Sequence, residues 1–372
     1  MKIGIDAFGC NHGQSGAGSY LLNCIKNLPE QTDGQCEFEL FGLEIDRYTY
    51  TANKEMPFVS VNIEENLKAI RRWHKHKLKA FCRKNKYDAV IFPAAHIVLP
   101  GKIKSKSIII LNGVYSVLGD KKEHKVIKKA LNHCALTIAA SQYIKDDLVE
   151  NGFDSNKISV IHNGIDHKVF FPLADPDSEF VDIKPFAIKR PYFIYSSRLS
   201  GPDKKHIELI KAFEIFKKRT NAPHRLVLAG SDGPYAQKIH DFAYDSEYAS
   251  EILITGHFPQ ESLQKLYCGS TACVFPAVNE GAGLPVTEAM ACGVPVLCSN
   301  QGALVEMAGM APLYFDSDDI EEIAIDMQKV VEDKELSKLM IQKGFEVARR
   351  INWESTVKET IKETIKAVCE LK

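Results

Sequence analysis

The sequence predicts an α/β protein made of two doubly wound, Rossmann-like domains, and three observations lead there. Short apolar runs rich in Val, Ile and Phe alternate with longer segments of helical period, the pattern of strands crossing over through helices into a parallel sheet. That alternation occurs twice along the chain. A stretch without periodicity, carrying prolines at 172, 176 and 185, separates the two sets.

In chain order, the first set of predicted strands is Lys2–Asp6, Glu37–Gly42, Ala89–Phe92, Ser107–Leu111, Leu136–Ala139 and Ile158–Ile161. Residues 171–190, of mixed charge, read as a linker between a first domain at 1–170 and a second at 191–352. The second set of strands is Tyr192–Ser196, Arg225–Ala229, Ile252–Thr255, Ala272–Phe275, Pro295–Cys298 and Pro312–Phe315. After Asp319 the period is helical, and Trp353–Leu371 reads as one last helix with Val357, Ile361, Ile365 and Val368 on one stripe. Two such domains are expected to enclose a cleft at the carboxyl ends of their strands, so the chemistry belongs to the strand-to-helix loops.

Composition fits this division. A chain of 372 residues with 45% apolar content is long enough for two separate cores. No run approaches the roughly 20 apolar residues of a membrane span, and the strand-like start leaves no room for a signal peptide, so the reading is cytosolic. The ten cysteines sit in apolar surroundings without paired spacing and read as reduced core residues. Residues 1–170 hold 24 Lys and Arg against 18 Asp and Glu, although the whole chain is at −1. The excess concentrates between Lys68 and Lys86, where nine Lys and Arg occur without an acid, and continues at Lys121, Lys122, Lys125, Lys128 and Lys129.

The richest loop is Glu280-Gly281-Ala282-Gly283-Leu284-Pro285-Val286-Thr287-Glu288, between an apolar strand and a helix. Gly281 and Gly283 permit close approach of a ligand, and Pro285 suits a first helical turn. The helix start offers unpaired N–H groups to an anion, and the two carboxylates can accept bonds from sugar or ribose hydroxyls. An ordinary glycine loop with two solvated acids is the competing reading. In the loop after Tyr192–Ser196, a turn at Gly201-Pro202 can bring Arg198 and Lys204 together on a diphosphate, or leave both as solvated surface charges. Gly230 follows a third strand, and Gly256-His257-Phe258 follows a fourth, where it could meet a nucleobase edge.

In this order the motifs resemble family 4 glycosyltransferases of the GT-B fold. Glu280 to Glu288 matches that family's Glu-x7-Glu motif, and Arg198 with Lys204 matches its basic pair. The likeness runs through the first domain in the glycine loop Gly16-Ala-Gly18-Ser-Tyr20, in Ala140-Ser-Gln-Tyr and in Ile161-His-Asn-Gly164-Ile-Asp166. Asn352-Trp353-Glu354 resembles the start of a helix that returns, as 353–372, to the first domain. The resemblance implies that Glu288 binds ribose hydroxyls, Glu280 binds hydroxyls of the transferred hexose, and Arg198 with Lys204 neutralises the diphosphate of a UDP- or GDP-sugar without a divalent metal. It further implies retention of anomeric configuration. Asp175-Pro-Asp177 and Asp316-Ser-Asp318 are read as linker and helix cap rather than as metal ligands.

The match departs after Ser107–Leu111, where relatives carry a His and this chain has Asn112, which hydrogen-bonds but carries no charge. His96 could replace it against the sugar or acceptor, or be structural. The basic run places Leu67, Ile70, Trp73 or His74, Leu78 and Phe81 near one helical stripe. An exposed Trp among Lys and Arg would suit an anionic membrane surface and a lipid-linked acceptor, whereas core packing gives the same pattern. No nucleic-acid motif accompanies the charge. Expected is a hexosyl transfer to a saccharide or lipid-linked acceptor in cell-surface polysaccharide assembly, at the inner face of the membrane. The alternatives are a nucleotide-sugar epimerase of the same fold and an inactive nucleotide-sugar-binding subunit.

Overall fold

Parallel strands buried on both faces need continuous apolar runs and helical crossovers, and the chain supplies both twice. The computed structural model describes residues 1–29, 36–52, 54–94, 103–118, 121–174 and 178–369. It divides into two units, Met1–Gly164 with Trp353–Lys372, and Ile165–Asn352.

The first unit carries a seven-stranded sheet in the order β3-β2-β1-β4-β5-β6-β7. Its strands are β1 (Lys2–Asp6), β2 (Glu37–Gly42), β3 (Phe58–Ser60), β4 (Ala89–Phe92), β5 (Lys106–Leu111), β6 (Leu136–Ala139) and β7 (Ile158–Val160), and every pairing is parallel. The helices are α1 (Gly16–Asn27), α2 (Glu44–Thr51), α3 (Leu67–His76), α4 (Leu78–Asn85), α5 (Lys121–His133) and α6 (Gln142–Glu150). Side-chain caps fix three of their starts: Ser15, Asn66 and Ser141 accept from the backbone N–H three residues on.

The second unit holds a six-stranded parallel sheet in the order β12-β11-β10-β13-β14-β15 and a separate hairpin, β8 (Phe180–Ile183) with β9 (Phe186–Lys189). Its strands are β10 (Tyr192–Ser196), β11 (Arg225–Ala229), β12 (Ile252–Gly256), β13 (Ala272–Phe275), β14 (Val296–Ser299) and β15 (Leu313–Phe315). They are covered by α7 (His206–Thr220), α8 (Ala236–Tyr244), α9 (Gln260–Cys268), α10 (Leu284–Ala291), α11 (Ala303–Ala308), α12 (Ile320–Glu332) and α13 (Lys334–Ala348). The last helix, α14 (Trp353–Cys369), belongs to the first unit. There Trp353 meets Tyr20 edge to face at 5.4 Å, and Thr356 Oγ1 donates to the His162 carbonyl at 2.8 Å.

Four features differ from the sequence reading. The stretch 171–190 contains the β8–β9 hairpin, whose short, part-exposed strands carry Asp182 and Lys189 and so lack the contiguous apolar run of the buried sheet strands. Strand β3, of three residues, escaped for the same reason. Asp319, not Asp316, caps α12 by accepting from Glu322 N, whereas Asp316 accepts from Asp318 N; Asp175 and Asp177 lie outside the described residues. The basic run is two helices broken at Lys77, and Trp73 is buried among Phe8, Phe41 and Phe81 rather than exposed. Of the apolar stripe, Ile70, Trp73 and Leu78 are in the core and Phe81 is half-buried, whereas Leu67 is exposed. All ten cysteines are free thiols, eight of them buried.

Candidate active site

In an open parallel sheet, ligands bind where neighbouring strands send their crossovers to opposite sides. In the second unit that point lies between β10 and β13. The loops leaving their carboxyl ends, 197–205 and 276–283, hold the sequence-predicted groups and are bonded to one another. Lys204 Nζ lies 3.1 Å from Glu280 Oε2, and Val278 N donates to the Asp203 carbonyl at 2.9 Å. Tyr195 Oη, from inside β10, donates to the Lys204 carbonyl at 2.7 Å and fixes the turn from below.

The neighbouring loops are tied in as well. Ser197 N donates to Ala229 O at 2.9 Å, and Leu199 N donates to Ser231 O at 3.1 Å. Gly230 forms a bridge to Gly256. A Cβ at Gly230 would fall 1.9 Å from the Ser197 carbonyl oxygen, so only glycine lets these loops approach. Arg198 is exposed beside this seam, its Nε 3.4 Å from the Asp232 carbonyl. Gly256 has φ +78 and open space where a side chain would stand. Beyond it His257 is exposed and Phe258 packs on Phe186 of the hairpin, centroids 5.9 Å apart.

On the other side of the switch point, Glu280 O accepts from Ala303 N at 2.9 Å, which clamps the loop to α11. Gly281 and Ala282 are buried in the loop floor. Gly283 is left-handed, at φ +62, and immediately precedes α10, whose first turn holds half-buried Leu284 and Pro285. No side chain caps this helix start. Its N–H groups and dipole are thus available beside Lys204. One turn inside α10, burial pushes the Glu288 carboxyl up to about 8 from 4.5. No cation pairs with it among the described residues. The shift favours the protonated form, which can donate one hydrogen bond and accept others. Burial likewise holds His206, against the Tyr195 ring at 4.7 Å, down to about 4.

The first unit's own switch point lies between β1 and β4, and Gly16 and Gly18 follow β1 there. Gly16 opens α1, exposed and with free space around it, whereas Gly18 is buried, and a Cβ there would lie 2.1 Å from the Cys10 carbonyl. Gly18 thus serves helix-to-loop packing. Asn112, at the end of β5, accepts at Oδ1 from Asn163 Nδ2 at 3.2 Å. His96 lies outside the described residues.

Sequence reasoning did not single out Tyr195, Asn163 or His206. Tyr195 sits where an apolar strand residue was expected, and its hydroxyl is the only sign of a second role. Among the described residues no group of three or more His, Cys, Asp and Glu side chains could hold a metal ion.

Two families account for most of the chain: residues 15–169 match Glycosyltransferase Family 4, and residues 177–347 match Glycosyl transferases group 1. The chain has the GT-B fold, and its two parts are similar to Glycosyltransferase Family 4 and to Glycosyl transferases group 1. Over 170 residues, 46% of its length, it is 30% identical to O-antigen chain mannosyltransferase B of Escherichia coli, and over 195 residues, 52% of its length, 27% identical to O-antigen chain mannosyltransferase RfbU of Salmonella typhimurium. These matches span 44% and 50% of the relatives' own lengths. Of solved structures, sucrose-phosphate synthase from Thermosynechococcus elongatus superposes with a TM-score of 0.77 at 18% identity, covering 100% of both chains. Anabaena HepE in complex with UDP and glucose gives 0.74 at 17% identity, covering 98% of this chain and 99% of the other. Relatives described as transferases set aside the epimerase reading.

Proposed function

We propose that this protein transfers a mannosyl group from a nucleoside-diphosphate sugar to a saccharide or lipid-linked acceptor in surface polysaccharide assembly. The observation that carries the proposal is the Lys204–Glu280 pair at the second sheet's switch point, beside the uncapped start of α10. The mannosyl group is favoured because the curated relatives described above are mannosyltransferases, and GDP-mannose is the first donor to test.

In this reading the diphosphate lies against α10's first N–H groups with Lys204 and Arg198 at its charged oxygens. Cleavage of the bond from anomeric carbon to phosphate oxygen leaves negative charge on the diphosphate, and fixed cations and N–H dipoles stabilise that charge most at the transition state. These groups take the part a divalent metal plays elsewhere. Glu280, held by Lys204, accepts from hydroxyls of the sugar. Glu288 bonds the ribose hydroxyls, donating its own proton to one oxygen and accepting from another. The open face at Gly256 and exposed His257 meet the base. The configuration at the anomeric carbon is retained by front-side attack, a donor phosphate oxygen taking the proton of the acceptor hydroxyl. Asn112 keeps its NH2 group for a hydroxyl, since its oxygen already accepts from Asn163.

Thermal-shift titration with GDP-, UDP- and ADP-sugars, followed by turnover assays on the donors that bind, tests the proposal. A ligand held only by the folded state raises its melting temperature. GDP-mannose is expected to give the largest rise and to be turned over. Absence of a rise with every nucleotide sugar refutes the donor site. A rise without turnover across acceptors favours an inactive binding subunit, the reading motivated by Asn112 in place of histidine.

A further inference from the structure

Two of the ten free thiols meet at the far end of α10. The helix ends at Cys292, whose N–H still donates to the Glu288 carbonyl at 3.1 Å, so the two side chains share one helical face. Helix α9 ends at Cys268. Cys268 Sγ lies 3.8 Å from the Cys292 carbonyl oxygen, and the two thiols hydrogen-bond to each other. Both helix ends are held in place. Tyr192 Oη donates to the Leu266 carbonyl at 2.7 Å, Arg190 Nε to the Gly269 carbonyl at 3.0 Å, and Gln264 Nε2 to the Phe171 carbonyl at 2.9 Å. Beyond Cys292 the chain turns at Gly293, at φ +76, where a Cβ would lie 2.8 Å from the Phe345 ring. The pair is asymmetric. Cys268 is half-buried, its sulfur also facing the Phe171 carbonyl at 3.5 Å, whereas Cys292 is buried. The Cys292 thiol, helped by the Leu173 N–H, holds the Cys268 thiol below its ordinary value against the effect of burial, and the same contact holds Cys292 above it. Burial pushes the thiols of Cys273 and Cys298, on the neighbouring strands, up.

We infer that Cys268 and Cys292 form an oxidisable dithiol site, which a peroxide converts to a disulfide closing a ring around the segment from Glu280 to Glu288. Cys268, the more accessible and the more acidic, is the attacking sulfur. Its thiolate takes one oxygen of hydrogen peroxide, the O–O bond breaks, and the departing hydroxide takes the proton that Cys268 gave up. Cys292 then attacks the sulfur of the Cys268 sulfenic acid. The S–S bond forms, the S–O bond breaks, and the Cys292 proton leaves with that oxygen as water. Two thiols and one peroxide thus give one disulfide and two waters. The ring so closed contains β13, the loop 276–283 and α10. Joining residues 24 apart in sequence restricts the unfolded chain more than the folded one, so the oxidised second unit is the more stable form. The site rests on the two helix ends and does not depend on the identity of the donor.

The test treats the reduced full chain with hydrogen peroxide, alkylates the remaining thiols and maps the products by mass spectrometry. Expected is a disulfide between the peptides that hold Cys268 and Cys292, formed within one chain and reversed by dithiothreitol. Its formation should raise the melting temperature of the second unit by roughly 5–10 °C. Cys268→Ser should abolish both the bond and the shift. In Cys292→Ala, Cys268 should stop at the sulfenic acid, which dimedone traps. Each variant keeps one sulfur of the pair, so a folding failure of one leaves the other to decide. Oxidation confined to the exposed Cys369, with Cys268 and Cys292 recovered as thiols, would overturn the inference. So would a disulfide from either of the two to a different cysteine, a melting temperature that does not rise on oxidation, or no dimedone adduct at Cys268 in a folded Cys292→Ala.

Discussion

Replacing Glu288 by Gln should alter how the protein's stability depends on pH. Burial raises the folded-state carboxyl to about 8 from 4.5 in the open chain. Between those values the folded form keeps a proton that the unfolded form has lost. The group's contribution is therefore complete below 4.5 and falls as pH rises through 8. From pH 7 to pH 9 wild-type stability should drop by about 1.4 kcal/mol on this account, one pKa unit being worth that much. Glutamine matches the neutral acid in shape and cannot ionise, so Glu288→Gln escapes the loss. For a domain of this size about 1.4 kcal/mol corresponds to roughly 3–5 °C. Scanning calorimetry at pH 7, 8 and 9 should then show the variant's melting temperature for the second unit gaining that amount on the wild type. Curves offset by a constant across the range would refute the raised Glu288 carboxyl.

Lys204→Ala should lower turnover about 10²- to 10³-fold, the range for loss of one preorganised charge-stabilising group, with a smaller effect on donor affinity; steady-state kinetics separates the two. His12 bonds the carboxylates of Asp46 and Glu65; partial burial lowers its pKa, but Glu65 and Asp46 together raise it above 6.5. Its stabilisation is present below 6.5 and lost as pH rises through the raised value, so His12→Ala should cost on the order of 1 kcal/mol at pH 5.5 and less at pH 9 in thermal melts. Trp353→Ala should destabilise the first unit by about 3–5 kcal/mol through the cavity beside Tyr20, and a calorimetric trace should show that unit's transition moving while the second unit's stays.

The strands were legible because parallel strands buried on both faces leave contiguous apolar runs, and β10 and β11 fall where the sequence puts them. The loop from Glu280 to Glu288 was legible because its groups are consecutive in the chain. Pairings across the fold were not. Lys204 and Glu280 are brought together only by the strand order β10-β13, which periodicity does not encode. Asn112 and Asn163 meet through the order β5-β6-β7 in the same way. The stripe containing Trp73 shows a different limit: amphipathic spacing says that one side of a helix is covered, not whether protein or lipid covers it. Glu288 shows a third, since a residue's protonation state depends on neighbours in space, not on its motif.

The return of α14 to the first unit bears on the order of events during synthesis. The second unit is one uninterrupted segment, Ile165–Asn352, and every strand and helix of it has been made before Trp353 is added. The first unit is split, and Tyr20 must wait for Trp353 to arrive from the far end of the chain. Contacts that distant in sequence close slowly. On a ribosome the half that holds Glu288 can thus reach its native packing while the half made first still lacks a helix, so the earliest-synthesised unit is the last to be completed and the one most exposed to chaperones and proteases in the interval.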